Sequence, residues 1–152
     1  MTQLRLIALD TPEVTVLSAH LQDAVVKVGD MAYSPRDKRF VAHANRFNWR
    51  ADGTTFNGGR RNTGERRRAA LRIERVTHVQ SQGFDSKDRS TVLSILAVIF
   101  TPNPDPALAP SGTLDIICAA KASLRLTVEC VEMALEDLGP AWEASRVPEH
   151  GA

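Results

Sequence analysis

Aromatic side chains are scarce in this chain, at 5% of 152 residues, so the core must rest on Leu, Ile, Val and Ala. Cysteine is scarcer: Cys118 and Cys130 form no CxxC pair and lack zinc-ligand spacing, which reads as reduced, buried thiols. Gly and Pro make up only 17 residues, too few for a collagen-like or low-complexity chain. The longest uncharged apolar run, Thr91 to Phe100 (TVLSILAVIF), is too short to span a bilayer as a helix. The opening MTQLRLIALD carries one Arg and a short apolar stretch cut off by Asp10, unlike a secretory leader. These absences give the expectation of a cytoplasmic protein with no membrane span.

What is present fits one folded unit, since a chain of this length buries roughly 70% of the surface it exposes when unfolded. The expected organisation is a single α+β domain over 1–142 and a loosely ordered tail over 143–152. Net charge is +1, but the charge is unevenly spread. From Arg36 to Arg75 there are twelve Arg or Lys against four acids, an excess of +8, so the remainder carries −7. Such a split bears on association rather than on fold.

Element signals follow the chain. Asp10-Thr11-Pro12-Glu13 offers an N-cap, an early Pro and an early acid. Val14, Leu17, Leu21, Ala24, Val25 and Val28 recur at helical spacing, so a helix is expected up to Gly29. Met31 to Ser34 reads as a short strand and Pro35 to Lys38 as a turn. Arg39 to Trp49 and Arg68 to Val79 read as strands, the second with a bulge or break near Glu74-Arg75. Between them, 50–67 is a long loop punctuated by Gly. Thr91 to Phe100 is apolar on both faces, as in a central strand covered on both sides. Leu114, Ile116 and Cys118 alternate, as do Leu124, Leu126 and Val128, so a hairpin is expected around Ala120-Lys121-Ala122. Val131, Ala134, Leu135 and Leu138 form a stripe at helical spacing, and Gly139-Pro140 follows as a stop. The predicted fold is therefore α+β and mostly antiparallel: a pleckstrin-homology-like barrel with an N-terminal and a C-terminal helix. The alternative is an open antiparallel sheet with both helices on one face.

Chemistry is harder to find. His20, His43, His78 and His150 show no paired-ligand spacing, so no metal site is assigned. There is no GxSxG elbow, and no catalytic residue is assigned. Asp85, Asp88 and Glu74 read as solvated turn acids. The most unusual stretch is Gly58 to Arg68 (GGRRNTGERRR), with five Arg and three Gly. Glycines let backbone N–H groups approach an anion, and guanidinium forks suit phosphate or carboxylate. Arg60, Arg61, Arg66, Arg67 and Arg68 are therefore the candidate ligand-binding residues. Asn45-Arg46 is placed to hold the base of this loop.

Four further motifs stand out: LSAHLQDA from Leu17 to Ala24, GDMAY from Gly29 to Tyr33, Asn45-Arg46-Phe47 with Trp49, and LTVECVE from Leu126 to Glu132. DLGPAW from Asp137 to Trp142 is a fifth. With these, the chain resembles over nearly its whole length a family of small alphaproteobacterial proteins filed as a domain of unknown function. The resemblance implies a cytoplasmic setting and supplies no function, cofactor or catalytic residue to carry over.

The reading that results is a non-catalytic binding module for a protein or anionic partner, with no cofactor. The alternatives are an RNA- or DNA-binding protein using the 58–68 loop, or an enzyme whose site assembles only in three dimensions. Self-association is also open, with an acidic C-terminal helix set against the basic loop of a second copy.

Overall fold

The computed structural model describes residues 4–48 and 65–139. The elements in chain order are β1 (Arg5–Ala8), α1 (Thr11–Leu21), β2 (Val25–Ser34), β3 (Arg39–Asn48), β4 (Glu65–Ile73), β5 (Val76–Gln82), β6 (Val92–Pro102), β7 (Gly112–Cys118), β8 (Ser123–Val128) and β9 (Met133–Asp137). They form one antiparallel sheet of nine strands in the order β1-β9-β4-β3-β2-β6-β7-β8-β5. The sheet is open, with β1 and β5 at its edges, so the expected pleckstrin-homology-like barrel is not what forms. Alternation cannot signal closure, because a strand shows the same period whether its sheet is open or closed.

The start of α1 follows the sequence signals. The Asp10 carboxylate accepts from the Glu13 N–H at 2.9 Å, and Glu13 accepts in return from the Leu9 N–H at 2.7 Å. The helix ends earlier than its apolar spacing suggests. Gln22 is extended and Asp23 takes a φ of 70°, so Val25 already belongs to β2. Val14, Leu17, Ser18 and Leu21 form its buried face.

That face packs against β6. The pairing of β2 with β6 runs from Lys27–Val92 to Val25–Ser94, and α1 takes over beyond it. The Asp23 N–H donates to the Ile95 carbonyl, and the Val98 N–H donates to Ser18 Oγ at 2.8 Å. The inner side of β6 contributes Leu93, Ile95 and Val98 to the core. Its outer side leaves Val92, Leu96 and Ile99 about half exposed, at 58%, 44% and 47%. β6 is thus central in the sheet but covered on one face only, not on both.

The C-terminal helix expected over 131–138 does not form. Met133, Leu135 and Asp137 point inward at period two, and β9 pairs with β4 from Ala69–Asp137 to Ile73–Met133 and with β1 from Arg5–Glu136 to Ala8–Met133. A short apolar run fits both periods, and two neighbouring strands decide for the extended form. The acidic helix that was to meet a second copy's basic loop disappears with it.

Of the remaining signals, the strand break and the hairpin hold, whereas residues 65–67, expected in the long loop, belong to β4, and Cys130, expected to be buried, is half-buried. β4 ends at Ile73 and β5 starts at Val76, with Arg75 at φ 64° between them. β7 and β8 form the expected hairpin, from Gly112–Val128 to Ile117–Ser123. Cys118 is buried beside its turn, and Cys130 lies beyond the far end of β8, both as free thiols. No helix among the described residues is long and apolar enough to cross a membrane. The tail expected over 143–152 lies outside the described residues, as do Trp49 and Trp142.

One core runs through the sheet and under the helix, with Leu17, Leu21, Leu71, Ile73, Leu114, Leu126 and Leu135 almost fully inaccessible. Burying one such side chain contributes roughly 1.5–3 kcal/mol relative to leaving it in water.

Candidate functional site

The arginine-rich segment begins where β3 and β4 run side by side. Their register is continuous from Phe40–Ile73 to Asn48–Glu65 and sets Asn45 opposite Arg68, Arg46 opposite Arg67 and Phe47 opposite Arg66. Successive side chains on a strand face opposite ways. Phe40, Ala42, Ala44 and Arg46 form the inner row of β3, and Ala69, Leu71, Ile73 and Arg67 that of β4. Val41, His43 and Asn45 belong to the outer row. Adjacent arginines in the sequence therefore have opposite surroundings.

Arg67 lies inside, 3% exposed, next to Arg46 at 4%. Both face Asp137 of β9, whose side chain is fully inaccessible. Arg46 grips the carboxylate with two bonds of 2.9 Å, Nε to Oδ1 and one terminal nitrogen to Oδ2. Arg67 approaches Oδ2 at 3.6 Å. The Leu4 N–H donates to Oδ2 at 2.8 Å, and the Asp137 N–H donates to the Leu4 carbonyl at 3.0 Å. Burial pushes the Asp137 carboxyl up, but Arg46, the Leu4 N–H and Arg67 outweigh it and hold it below its ordinary value. Fork-to-carboxylate geometry of this kind fixes orientation as well as charge. The cluster ties β3, β4, β9 and the chain before β1 together at the base of the arginine-rich segment.

Arg66 and Arg68 lie on the other side. Arg66 is half-buried. Arg68 is 39% exposed, 3.7 Å from Asp30 of β2 and 3.5 Å from the Asn45 amide oxygen. Arg60 and Arg61 lie outside the described residues. Of the five candidate residues, then, Arg66 and Arg68 reach the outer face and Arg67 is an inward anchor.

Further along this face acids are interleaved with the arginines. Glu74 receives both Arg39 and Arg72 at 2.9 Å, and Arg5 lies 4.0 Å from Glu136. The other titratable groups serve local structure. Asp85 accepts from the Lys87 N–H, and Asp88 accepts from the N–H and hydroxyl of Ser90. These bonds fit the reading of Asp85 and Asp88 as turn acids, whereas Glu74, half-buried between Arg39 and Arg72, is not a solvated one. Burial pushes the Cys118 thiol up to about 11, which leaves it protonated and unreactive at neutral pH.

A second feature lies on the outer face of β5, β8 and β7. A groove of about 540 Å³ is lined there by Gln80, Gln82, Asp115, Ile117, Ser123 and Arg125. Arg125 Nε and Asp115 Oδ1, 2.8 Å apart, form an ion pair across it.

The sequence over residues 4–150 matches the family described as "Protein of unknown function (DUF2948)". The chain belongs to that family. Its extent takes in every described element, the arginine cluster and the 49–64 segment. No curated protein and no solved structure matches the chain.

Asp137 is the member of this cluster hardest to see in the sequence. At helical spacing it falls on the polar side of the stripe. The signal that finds it is its phase with Met133 and Leu135, since a carboxylate in an inward row requires a cationic partner. Arg46 was already placed at the base of the loop, and its partner is what the sequence left open.

Proposed function

We propose that this protein is a non-catalytic binding module that takes an acidic partner at the outer face of the β3–β4 pair. The observation that carries the reading is the division of Arg66, Arg67 and Arg68. Inward Arg67, with Arg46 and Asp137, makes a rigid footing, and Arg66 and Arg68 stand outward on it. Arg60 and Arg61 add to the same charge by their place in the sequence. Binding groups set on a buried and hydrogen-bonded base lose little conformational freedom on contact.

An acidic protein segment fits this surface better than a nucleic acid. Asp30, Glu74 and Glu136 interrupt the arginines, and the chain as a whole carries only +1. Phosphate-backbone binding favours an uninterrupted basic stripe.

The test compares the full chain with a variant carrying Arg60→Ser, Arg61→Ser, Arg66→Ser and Arg68→Ser, leaving Arg67 in place. Labelled poly-glutamate and a single-stranded RNA oligonucleotide serve as probes in fluorescence anisotropy. The expected result is poly-glutamate binding that weakens at least tenfold in the variant, with an unchanged melting temperature. Equal binding by both chains, or none by the wild type, overturns the reading. Tighter RNA binding with a steep salt dependence replaces it with the nucleic-acid alternative.

A further inference from the structure

Sheet edges are usually guarded by charge, proline, brevity or cover, because an open edge recruits another strand. β1 is guarded in this way, being four residues long and carrying Arg5. β5 is not. Its seven residues, VTHVQSQ, include no Lys, Arg, Asp, Glu or Pro. Thr77, His78, Gln80, Ser81 and Gln82 are all exposed. One side of β5 pairs with β8, and the Val76 N–H donates to the Lys38 carbonyl at 2.9 Å. Past Val76, the backbone groups directed away from β8 meet no partner among the described residues.

The open stretch has sharp limits. A register shift between Val76 and His78 marks its start. Gly83, at φ 83°, turns the chain away at its end, and a Cβ there would run into the Lys121 carbonyl. Five residues remain, 78–82, with Gln80 at their centre. An antiparallel two-fold there sets Gln80 beside Gln80 of the second copy, His78 beside Gln82, and Val79 beside Ser81. His78, Gln80 and Gln82 stand on the outer face, across from Thr127, Arg125 and Ser123. Like charges directly opposite one another destabilise a strand pair, and none meet in this register.

We propose that the protein forms a two-fold dimer by antiparallel pairing of residues 78–82 of β5 with the same strand of a second copy. The interface is isologous, so it occupies the unguarded edge of both copies and assembly closes at two. The inference is independent of the arginine surface, which lies on β3 and β4.

Sedimentation velocity and light scattering on the full chain test it across a wide concentration range. Two single variants, Gln80→Lys and Gln80→Glu, each place like charges together at the two-fold. Only the lysine opposes Arg125 on β8 within the chain, so a folding defect confined to that variant is separable. The expected result is a wild-type dimer that persists in high salt, and an apparent mass halved in both variants without loss of the circular dichroism spectrum. A wild type that stays monomeric at every concentration overturns the proposal. So does a dimer unaffected by either charge, or one that dissociates in salt alone.

Discussion

Arg46 and Asp137 stand 91 positions apart in the chain and meet inside the sheet through two hydrogen bonds of 2.9 Å. Arg46 comes from a strand entering the arginine-rich segment, and Asp137 from the last strand of the described chain. Their contact makes the order of β9, β4 and β3 an electrostatic requirement as well as a packing preference. β9 shifted by one residue would turn Asp137 to solvent and leave Arg46 and Arg67 inside without it.

Removing the carboxylate should therefore cost more than an average substitution. Asp137→Ala leaves two buried guanidinium groups facing a void, and breaking a buried pair from one side costs about 3–5 kcal/mol. Urea denaturation should show that loss as a lower midpoint with an unchanged slope. Replacing Arg46 and Arg67 by Met and Asp137 by Leu together should cost less than Asp137→Ala alone, because none of these three charges is then left buried without the others. A triple variant less stable than Asp137→Ala would contradict this account.

The same carboxylate should shape the acid limb of stability. Its folded pKa is depressed, because Arg46, the Leu4 N–H and Arg67 together outweigh burial. A depressed carboxyl contributes stability that is fully present above the ordinary carboxylate range and is lost as pH falls through the folded value. Glu129, held down chiefly by Lys38, and Asp88, held down chiefly by Ser90, act in the same direction from the surface. The dependence of unfolding free energy on pH should thus slope downward below about pH 5. Asp137→Asn should flatten that slope without abolishing it, and an identical acid limb in the variant would remove Asp137 from the explanation.

How much was legible in the sequence depended on how many periods a segment fits. The β7–β8 hairpin was clear because its apolar residues alternate on both arms around a short turn, and no helix accommodates that pattern. The break at Glu74-Arg75 was clear because the apolar phase changes there. β9 was not, since Val131, Ala134, Leu135 and Leu138 satisfy a helical stripe and only pairing with β1 and β4 selects the strand. The first part of β2 was hidden for the same reason, with Val25 and Val28 continuing the helical spacing of α1. β1 is four residues long, too short for alternation to register. In the arginine cluster, the charge was visible in the sequence but its direction was not. The register of β3 against β4 puts Arg67 inside and its two neighbours outside.

The turn between β7 and β8 carries removable strain. Ala120 and Lys121 both sit at φ 62°, a left-handed backbone that L side chains with a Cβ adopt at a cost. Two positive φ values in a hairpin turn favour Asn followed by Gly. Lys121 is exposed, so Lys121→Gly loses little packing. Relief of a left-handed backbone costing about 1–2 kcal/mol outweighs the roughly 0.5–1 kcal/mol of extra chain entropy that glycine loses on folding, so the protein should gain up to about 1 kcal/mol, and adding Ala120→Asn should increase the gain. Thermal unfolding should show a midpoint higher by a few degrees for a chain of this size. A lower midpoint would mean that the Lys121 side chain contributes more than its conformation costs.

Ser18 tests whether α1 substitutes for a strand beside β6. Its hydroxyl accepts the Val98 N–H at 2.8 Å across 80 positions of sequence, where β2 no longer pairs with β6. Ser18 is buried, so water has little access to the site when the hydroxyl is removed. Ser18→Ala would leave the Val98 N–H without its acceptor, at a cost of about 1–3 kcal/mol, although alanine is the better helix former by a few tenths. The direction of the change separates the two roles. A helix that merely covers the core would be unaffected or stabilised by alanine. A helix that completes the hydrogen bonding of β6 should be destabilised, and the Val98 amide should exchange with deuterium faster than the neighbouring Ile99. Protection at Val98 equal to that of the wild type would show that the bond to Ser18 does not hold this part of the strand.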